Sequence, residues 1–332
     1  MKLFLILAFL GLGTAAKNEP PTWSTTYSVS GVLMIPFAEI AEKFQAYYDL
    51  ESGNSRIDYY DGMDKTFQLT KSGPYGKMLK IVPMTDDKVY NQINCFAVEG
   101  SKSGPVQVQS ILPDLTGFEY RGEKTFKGHD VQKWQKKEQI GHKLNKYTMF
   151  LAINSASAAV PVFYEMKGFN TLLGSHYDHY YLEYDHFDTS KPNPKVFEEY
   201  NDKSCHGWPG PGMDHTYTMN PMKEFVNGHK NHVDEAFHHF EEKHSKQYRD
   251  DKDRETRKDL FSQNMRYIHS KNRQHLSYVL APNHLTDLTD SERSSMRGRL
   301  RSKGYNWDSP SHILNINWIV RLPCLIGGFT EL

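Results

Sequence analysis

Cysteine is scarce in this chain of 332 residues, which has only Cys95, Cys205 and Cys324. Three widely spaced cysteines cannot build the disulfide framework that holds many small secreted domains together. At most one intramolecular disulfide bond can form, and the sequence does not indicate which pair forms it. The fold must therefore come from packed apolar cores, and a chain of this length is long enough for two domains.

The chain also lacks net charge, because 40 lysine and arginine residues balance 40 aspartate and glutamate residues. A balanced chain has no overall electrostatic attraction to nucleic acid or to an anionic membrane, so neither partner is predicted. Residues 1–16 combine a basic Lys2, an apolar run, and the small residues Thr14 and Ala16 at signal-peptidase positions. This pattern predicts a secretory signal peptide, with no membrane span after its removal. We therefore expect a secreted or endolysosomal protein.

The first half of the chain has short alternating apolar runs that are separated by Gly, Pro and Asn, up to about Phe187. Such runs predict β-strands, and residues 52–54 predict a hairpin turn. The predicted strands cover residues 27–35, 44–50, 56–60, 77–82, 96–99, 106–112, 147–152 and 162–166. Since no long helical pattern separates them, an antiparallel sheet is favoured over parallel βαβ units. We predict an α+β fold in which residues 20–189 form an antiparallel β half-barrel.

The second half is predicted to be a small α-helical domain over residues 223–305, after a Pro- and Gly-rich linker at 190–222 that separates the two domains. Apolar spacing predicts a first helix over 233–248, and a second follows from 253 to 272. Residues 276–280 are a candidate short strand. Thr289 and Glu292 have the spacing of a capping box that opens a third helix.

Six residues of the second helix repeat at intervals of three and four and so share one stripe. They are Asp253, Arg257, Phe261, Asn264, Ile268 and Asn272. An ordinary amphipathic helix would fill this stripe with aliphatic residues, so the arginine and the two asparagines are expected to bind neighbouring backbone or carboxylates. The spacing resembles the ERFNIN signature of cathepsin L-like propeptides, with Asp253 in place of the usual Glu.

A second motif follows at the distance found in the same family. The segment APNHLTD resembles its GNFD motif, with Asn283 and Asp287 matching and with Ala281 for Gly and Leu285 for Phe. The resemblance covers about 233–305, and the preceding chain is similar to the long N-terminal region of insect haemocyte cysteine proteases and of the slime-mould counting-factor-associated protein. It implies a propeptide that inhibits a cathepsin L-like cysteine protease. Its ion pairs, from Asp253, Arg257 and Asp287, would weaken as the carboxylates protonate in acid.

In this family the segment after the third helix crosses the protease cleft in the direction opposite to a substrate. The matching residues here are Met296, Arg297, Gly298, Arg299, Leu300, Arg301, Ser302 and Lys303. A reversed backbone keeps its carbonyl groups away from the nucleophile and the oxyanion donors, so it blocks the site without being cut. The basic residues by themselves also fit a solvated or protease-sensitive hinge, which is the commoner role of such a run.

No cysteine stands in the Q-x-x-x-C-G-S-C-W context that a papain-type nucleophile requires. We therefore predict that the chain is not an enzyme and needs no cofactor. The catalytic domain that the resemblance implies after Tyr305 is expected to be absent, and residues 306–332 form an atypical apolar tail. The chain would then be a free-standing inhibitor or a truncated zymogen.

Two other interpretations depend on the first half of the chain. His176, Asp178 and Tyr180 would share one face of a strand, but a third metal ligand is not visible, so no metal site is predicted. A half-barrel could instead hold a hydrophobic or glycan ligand on a concave face rich in Tyr and Phe. The propeptide-like domain would then be a passenger.

Overall fold

The computed structural model describes residues 19–84, 90–153, 159–207, 219–227 and 231–296. The predicted signal peptide, the predicted tail and residues 297–303 of the predicted cleft segment lie outside these ranges. Within them, an N-terminal β-rich part precedes a small C-terminal helical part, as the sequence predicts.

The β-rich part is one open sheet, which has twelve strands in the described part of the chain. Neighbouring strands are antiparallel, except that β12 runs parallel to β6. The half-barrel shape stays a prediction, since the sheet is open. The strands are β1 Thr26–Ile35, β2 Ile40–Asp49, β3 Asn54–Tyr59, β4 Asp64–Leu69, β5 Lys77–Met84, β6 Gln92–Glu99, β7 Glu119–Phe126, β8 His129–Ile140, β9 Lys143–Ile153, β10 Ala159–Asn170, β11 Ser175–Asp188 and β12 Cys205–His206, in the order β12-β6-β5-β4-β3-β2-β1-β11-β10-β9-β8-β7.

Four α-helices follow among the described residues: α1 Lys223–Asn227, α2 Asn231–Lys243, α3 Asp251–Arg273 and α4 Asp290–Ser295. The helix predicted over 233–248 ends early because Ser245 adopts a left-handed conformation, with φ of 50°. The N–H of Lys246 then turns back to bond the carbonyl of Glu241, which closes the helix. The capping box predicted at Thr289 and Glu292 is present at the start of α4.

Two predicted strands are wrong, since residues 106–112 and 276–280 are not in strands. The first segment instead crosses the inner face of the sheet, where side chains satisfy its backbone. The N–H of Gln109 bonds Ser55 Oγ at 2.8 Å, and the N–H of Ile111 bonds Tyr27 Oη at 3.2 Å. Val106, Ile111 and Leu112 are buried as they would be in a strand. The apolar pattern alone therefore could not show that no described strand pairs with this segment. Strands β4, β7, β8 and β12 were not predicted, and β12 lies in the predicted linker.

The largest core lies between the inner face of the sheet and the chain segments that cover it. Alternate residues of β1, from Tyr27 to Ile35, point into this core. Ile111, Leu112 and Phe225 cover them from the other side, so the apolar face is occupied by the chain itself. A ligand cavity on this face, as the second interpretation requires, would have to displace these residues.

A β-bulge in β11 corrects the predicted face shared by His176, Asp178 and Tyr180. Gly168 of β10 pairs with Asp178, and the next residue, Phe169, pairs with His176. Tyr177 is therefore the extra residue, and the bulge turns His176 to the face opposite Asp178. His176 is exposed while Asp178 is buried, so they do not form the predicted pair of neighbours.

Part of the predicted linker is packed against the sheet. A 3₁₀ turn at Pro194–Phe197 buries Phe197, and the Val196 carbonyl accepts a hydrogen bond from Arg56 Nη1 at 2.7 Å. A disulfide bond joins Cys95 of β6 to Cys205 of β12. The sequence could not assign this pair, and Cys324 lies outside the described residues.

Candidate functional site

The core of the helical part is a small aromatic cluster between α2 and α3. Phe237 and Phe240 of α2 pack on Phe261 of α3, with ring centroids 5.4 and 4.9 Å from it. All three are buried, and Met265 packs against them. The stripe residue Phe261 thus fixes how the two helices cross.

Arg257 links α3 to α4 and to the loop between them. Its guanidinium binds Asp253 Oδ1 at 3.1 Å and both carboxylate oxygens of Glu292, with Nη2 at 2.8 Å from Oε1. It also donates to the Asp287 carbonyl at 3.3 Å. The sequence predicted an ion pair for Arg257, and Glu292 is the partner that it did not identify, because it was interpreted only as a capping residue.

These contacts shift the acid–base properties of both carboxylates. Hydrogen bonds from Arg257, together with those from Thr289, lower the pKa of Glu292 to about 2, against the smaller opposing effect of burial. For Asp253, burial acts to raise the pKa, but the N–H of Arg249 and the Arg257 guanidinium lower it overall. Both carboxylates therefore stay ionised in mild acid.

The two stripe asparagines fix the backbone of the loop after α3. Asn272 donates to the Leu280 carbonyl and accepts from the Leu280 N–H, both at 2.8 Å. Asn264 donates to the Thr286 carbonyl at 2.6 Å. Both asparagines therefore bind neighbouring backbone, as the stripe predicts, because an amide side chain can both donate and accept hydrogen bonds.

Asp287 forms an ion pair, as the sequence predicts, and its partner is Lys246. Its buried carboxylate binds Lys246 Nζ at 2.6 Å and accepts from Tyr248 Oη at 2.9 Å, and its backbone carbonyl accepts from Arg257. Burial, and then the neighbouring Asp287 carboxylate, raise the pKa of Tyr248. The sequence missed Lys246 and Tyr248, because both lie in the turn between α2 and α3, where no helical period identifies them.

The remaining predicted residues lie around this loop. Ile268 is buried, Leu285 is half-buried, and Ala281 is exposed. Asn283 caps its own turn, since its side chain accepts from the Leu285 N–H at 2.9 Å. Met296, the first residue of the predicted cleft segment, ends the described chain and is 62% exposed.

The other face of α3 contacts the sheet. Arg266 binds Asp178 of β11 and Glu224 of α1, and Arg273 binds Glu42 of β2. A single sequence feature signals this interface: Glu42 stands between Ile40 and Phe44 on the inward face of β2. A glutamate at an apolar alternation position indicates a buried cationic partner.

Neither described cysteine is available as a nucleophile, because Cys95 and Cys205 are bonded to each other. A groove of about 540 Å³ between β9 and α3 is lined by charged side chains, including Lys143, Glu255 and Asp259. Lys143 Nζ already binds Asp259 at 2.9 Å within it. Charged residues outnumber aromatic ones around this groove, so it is not the Tyr- and Phe-rich face of the second interpretation. No helix in the described part of the chain is long and apolar enough to cross a membrane.

Comparison with known families identifies the helical part. The family model of the cathepsin propeptide inhibitor domain (I29) matches residues 237–292, which run from the middle of α2 through α3 to the start of α4. The chain has a cathepsin-propeptide-like region. The match includes the Arg257, Asn264 and Asp287 contacts, and it does not extend into the sheet.

Other comparisons add little to this assignment. No curated protein matches the chain. Among solved structures, an uncharacterized conserved protein from Thermus thermophilus is similar with 14% identity and a TM-score of 0.34, over 55% of this chain and 90% of that one. A likeness this low carries no argument about the fold or function of the sheet.

Proposed function

We propose that the chain is a secreted or endolysosomal inhibitor of a cathepsin L-like cysteine protease, which binds the enzyme through its propeptide-like region. The proposal rests on the contacts of Arg257 with Asp253, Glu292 and the Asp287 carbonyl. These contacts hold α3, α4 and the loop between them together, at residues that the family model matches. A free-standing inhibitor and the pro-region of a zymogen would share this unit. The proposal therefore concerns the inhibitory region in either setting.

The loop between α3 and α4 offers the protease an apolar surface. Val279 is 59% exposed, and Ala281 and Pro282 are exposed beside it. Asn272 holds this loop in one conformation, so little conformational entropy has to be lost on binding. From α4 the chain continues through Met296 into residues 297–303, which we propose to cross the cleft in the direction opposite to a substrate.

The test is inhibition of a cathepsin L-like protease by the purified chain, measured from neutral to acidic pH. We expect tight inhibition near neutral pH and release in acid. Asp287→Asn should weaken inhibition near neutral pH, because the amide cannot form the ion pair with Lys246. Asp290→Asn is the matched control, since Asp290 lies three residues away with its side chain almost fully exposed.

Absence of inhibition by the wild type, or equal inhibition by the wild type and Asp287→Asn at every pH, would contradict the proposal. Lipid or glycan that co-purifies with the chain would then favour the ligand-binding interpretation. Hydrolysis of a peptide substrate that a thiol-alkylating reagent abolishes would overturn the prediction that the chain is not an enzyme.

A further inference from the structure

The face of α3 that contacts the sheet carries buried polar residues, like the face that carries the family motif. Arg266, Ser270 and Arg273 follow one another at intervals of four and three, which places them on one side of the helix. All three are buried. An isolated propeptide-like domain would leave two of these positions as arginines without partners.

Arg273 is held by a complete set of contacts at the end of α3. It binds both carboxylate oxygens of Glu42, with Nη2 at 2.8 Å from Oε2, and Ser270 Oγ donates to the same oxygen at 3.1 Å. Tyr60 Oη lies 2.6 Å from Ser270 Oγ and accepts from Gln274 at 3.1 Å. Burial acts to lower the pKa of Arg273, but the Glu42 charge outweighs it and raises that pKa.

Arg266 makes a second, independent connection about two helical turns away. It donates from Nε to Glu224 at 2.6 Å and from Nη1 to Asp178 at 2.5 Å, which joins α3 to α1 and β11. Its guanidinium lies over the rings of Tyr180 and Phe225, 5.4 and 5.2 Å from their centroids. A stacked arginine with two carboxylate partners is specific in geometry, so this contact fixes the rotation of α3 on the sheet.

We propose that the sheet is an intramolecular clamp for α3. Glu42 and Asp178 hold Arg273 and Arg266, so the helical part and the sheet form one body that stays together without depending on the covalent connection between them. This inference does not rest on the proposed function, since the clamp can be tested in the absence of a protease.

The clamp should be strong because breaking one of its buried ion pairs costs much free energy. Removing one carboxylate leaves a buried guanidinium without its partner, which destabilises far more than the loss of a surface ion pair. Lys43, the neighbour of Glu42 on β2, provides the contrast, because it points to the other face and forms an exposed pair with Asp61 at 3.7 Å. Glu42→Gln and Lys43→Gln therefore change adjacent residues of one strand, and only Glu42→Gln should weaken the contact between α3 and the sheet.

The first experiment is amide hydrogen exchange of α3 in the full chain. Glu42→Gln should speed exchange in the last turns of α3 by about 100-fold or more, as expected for a broken buried ion pair. Lys43→Gln should leave the rates as in the wild type. Equal exchange in Glu42→Gln and the wild type, or equal acceleration in both variants, would overturn the clamp.

A second experiment covers the case in which Glu42→Gln fails to fold. A recognition sequence for a site-specific protease is inserted after Gly212, and the protein is cut and passed over a size-exclusion column. We expect the two fragments to elute together from the otherwise wild-type protein, and Asp178→Asn to release some of the helical fragment. Fragments that separate in the wild-type background would overturn the proposal.

Discussion

Arg273 and Glu42 are 231 residues apart in the chain and meet in a buried ion pair at the end of α3. Arg273 directly follows Asn272, the last residue of the motif stripe, and connects that helix to the β-rich part of the chain. α3 therefore has two functions in the fold. One side organises the propeptide-like region, and the opposite side fixes that region on the sheet.

The aromatic cluster gives the first prediction. Phe261→Ala should destabilise the helical part by about 3–5 kcal/mol, because a large buried ring is replaced by a cavity between α2 and α3. Chemical denaturation followed by circular dichroism measures the loss. Tyr90→Ala, at a position 62% exposed, should change stability little. A Phe261→Ala protein as stable as the wild type would show that the cluster does not hold α2 to α3.

The Glu292 carboxylate gives the second prediction, on pH. Its pKa falls from 4.5 in the unfolded chain to about 2 in the folded one, so it stabilises the fold above pH 4.5 and this contribution disappears as the pH falls towards 2. Glu292→Gln should therefore be less stable than the wild type at neutral pH, and the difference should shrink between pH 4.5 and 2. Melting temperatures across this range measure it. A difference that stays constant down to the acid end of the range would contradict the assigned Arg257–Glu292 contact.

The local elements of the helical part could be predicted from the sequence because their signals are local. The stripe from Asp253 to Asn272 is a helical period, and the capping box at Thr289 is a spacing of three. Both need only neighbouring residues to be recognised. The asparagine contacts follow from the chemistry of an amide on a helix beside a loop.

Glu42 signals a buried cationic partner, but the sequence could not identify which residues meet at the interface with the sheet, because they are distant in the chain. Asp178 and Arg266 are 88 residues apart, and the bulge at Tyr177 decides which way Asp178 faces. A bulge changes the side-chain alternation without any composition signal. The strand predicted over 106–112 is wrong for a related reason, because a buried alternating segment without a partner strand has the same sequence pattern as a strand.

Gly168 gives a third prediction, which tests the bulge. A Cβ at this position would lie 2.4 Å from the ring of Tyr177, closer than real contacts allow. Gly168→Ala should therefore displace Tyr177 and lower the melting temperature. Gly174→Ala, where a Cβ would meet no atom within 4 Å but φ is 68°, controls for backbone effects alone. We expect Gly168→Ala, unlike the control, to lose the Tyr177–Asn145 hydrogen bond, which tyrosine ring chemical shifts report.

The Cys95–Cys205 bond gives a fourth prediction. It closes a loop with a sequence separation of 110, so its removal increases the entropy of the unfolded chain. Cys205→Ser should cost about 2–5 kcal/mol, and a reducing agent should lower the stability of the wild type to that of the variant. Denaturation curves with and without reductant measure both effects. A wild-type curve that reductant leaves unchanged would argue against this pairing.

Asn272 gives the last prediction, which separates loop geometry from helix stability. Asn272→Ala removes both hydrogen bonds to Leu280 and leaves the rest of α3 in place. Gln263→Ala is the matched control, because Gln263 is another amide of α3 but donates to the Tyr177 carbonyl on the sheet side, at 3.0 Å. A hydrogen bond contributes about 1 kcal/mol, so Asn272→Ala, which loses two, should lower the overall stability by about 2 kcal/mol, and Gln263→Ala, which loses one, by about 1 kcal/mol.

Their effects on protease inhibition should differ. Asn272→Ala frees the loop around Val279, so the loop has to be ordered when the protease binds, and the inhibition constant should rise by about tenfold for a cost of about 1.4 kcal/mol. Gln263→Ala should inhibit like the wild type, because its contact faces away from this loop. Hydrogen exchange of residues 278–283 gives the structural readout, with faster exchange in Asn272→Ala alone. Equal inhibition by the two variants would show that the loop held by Asn272 is not part of the protease-binding surface.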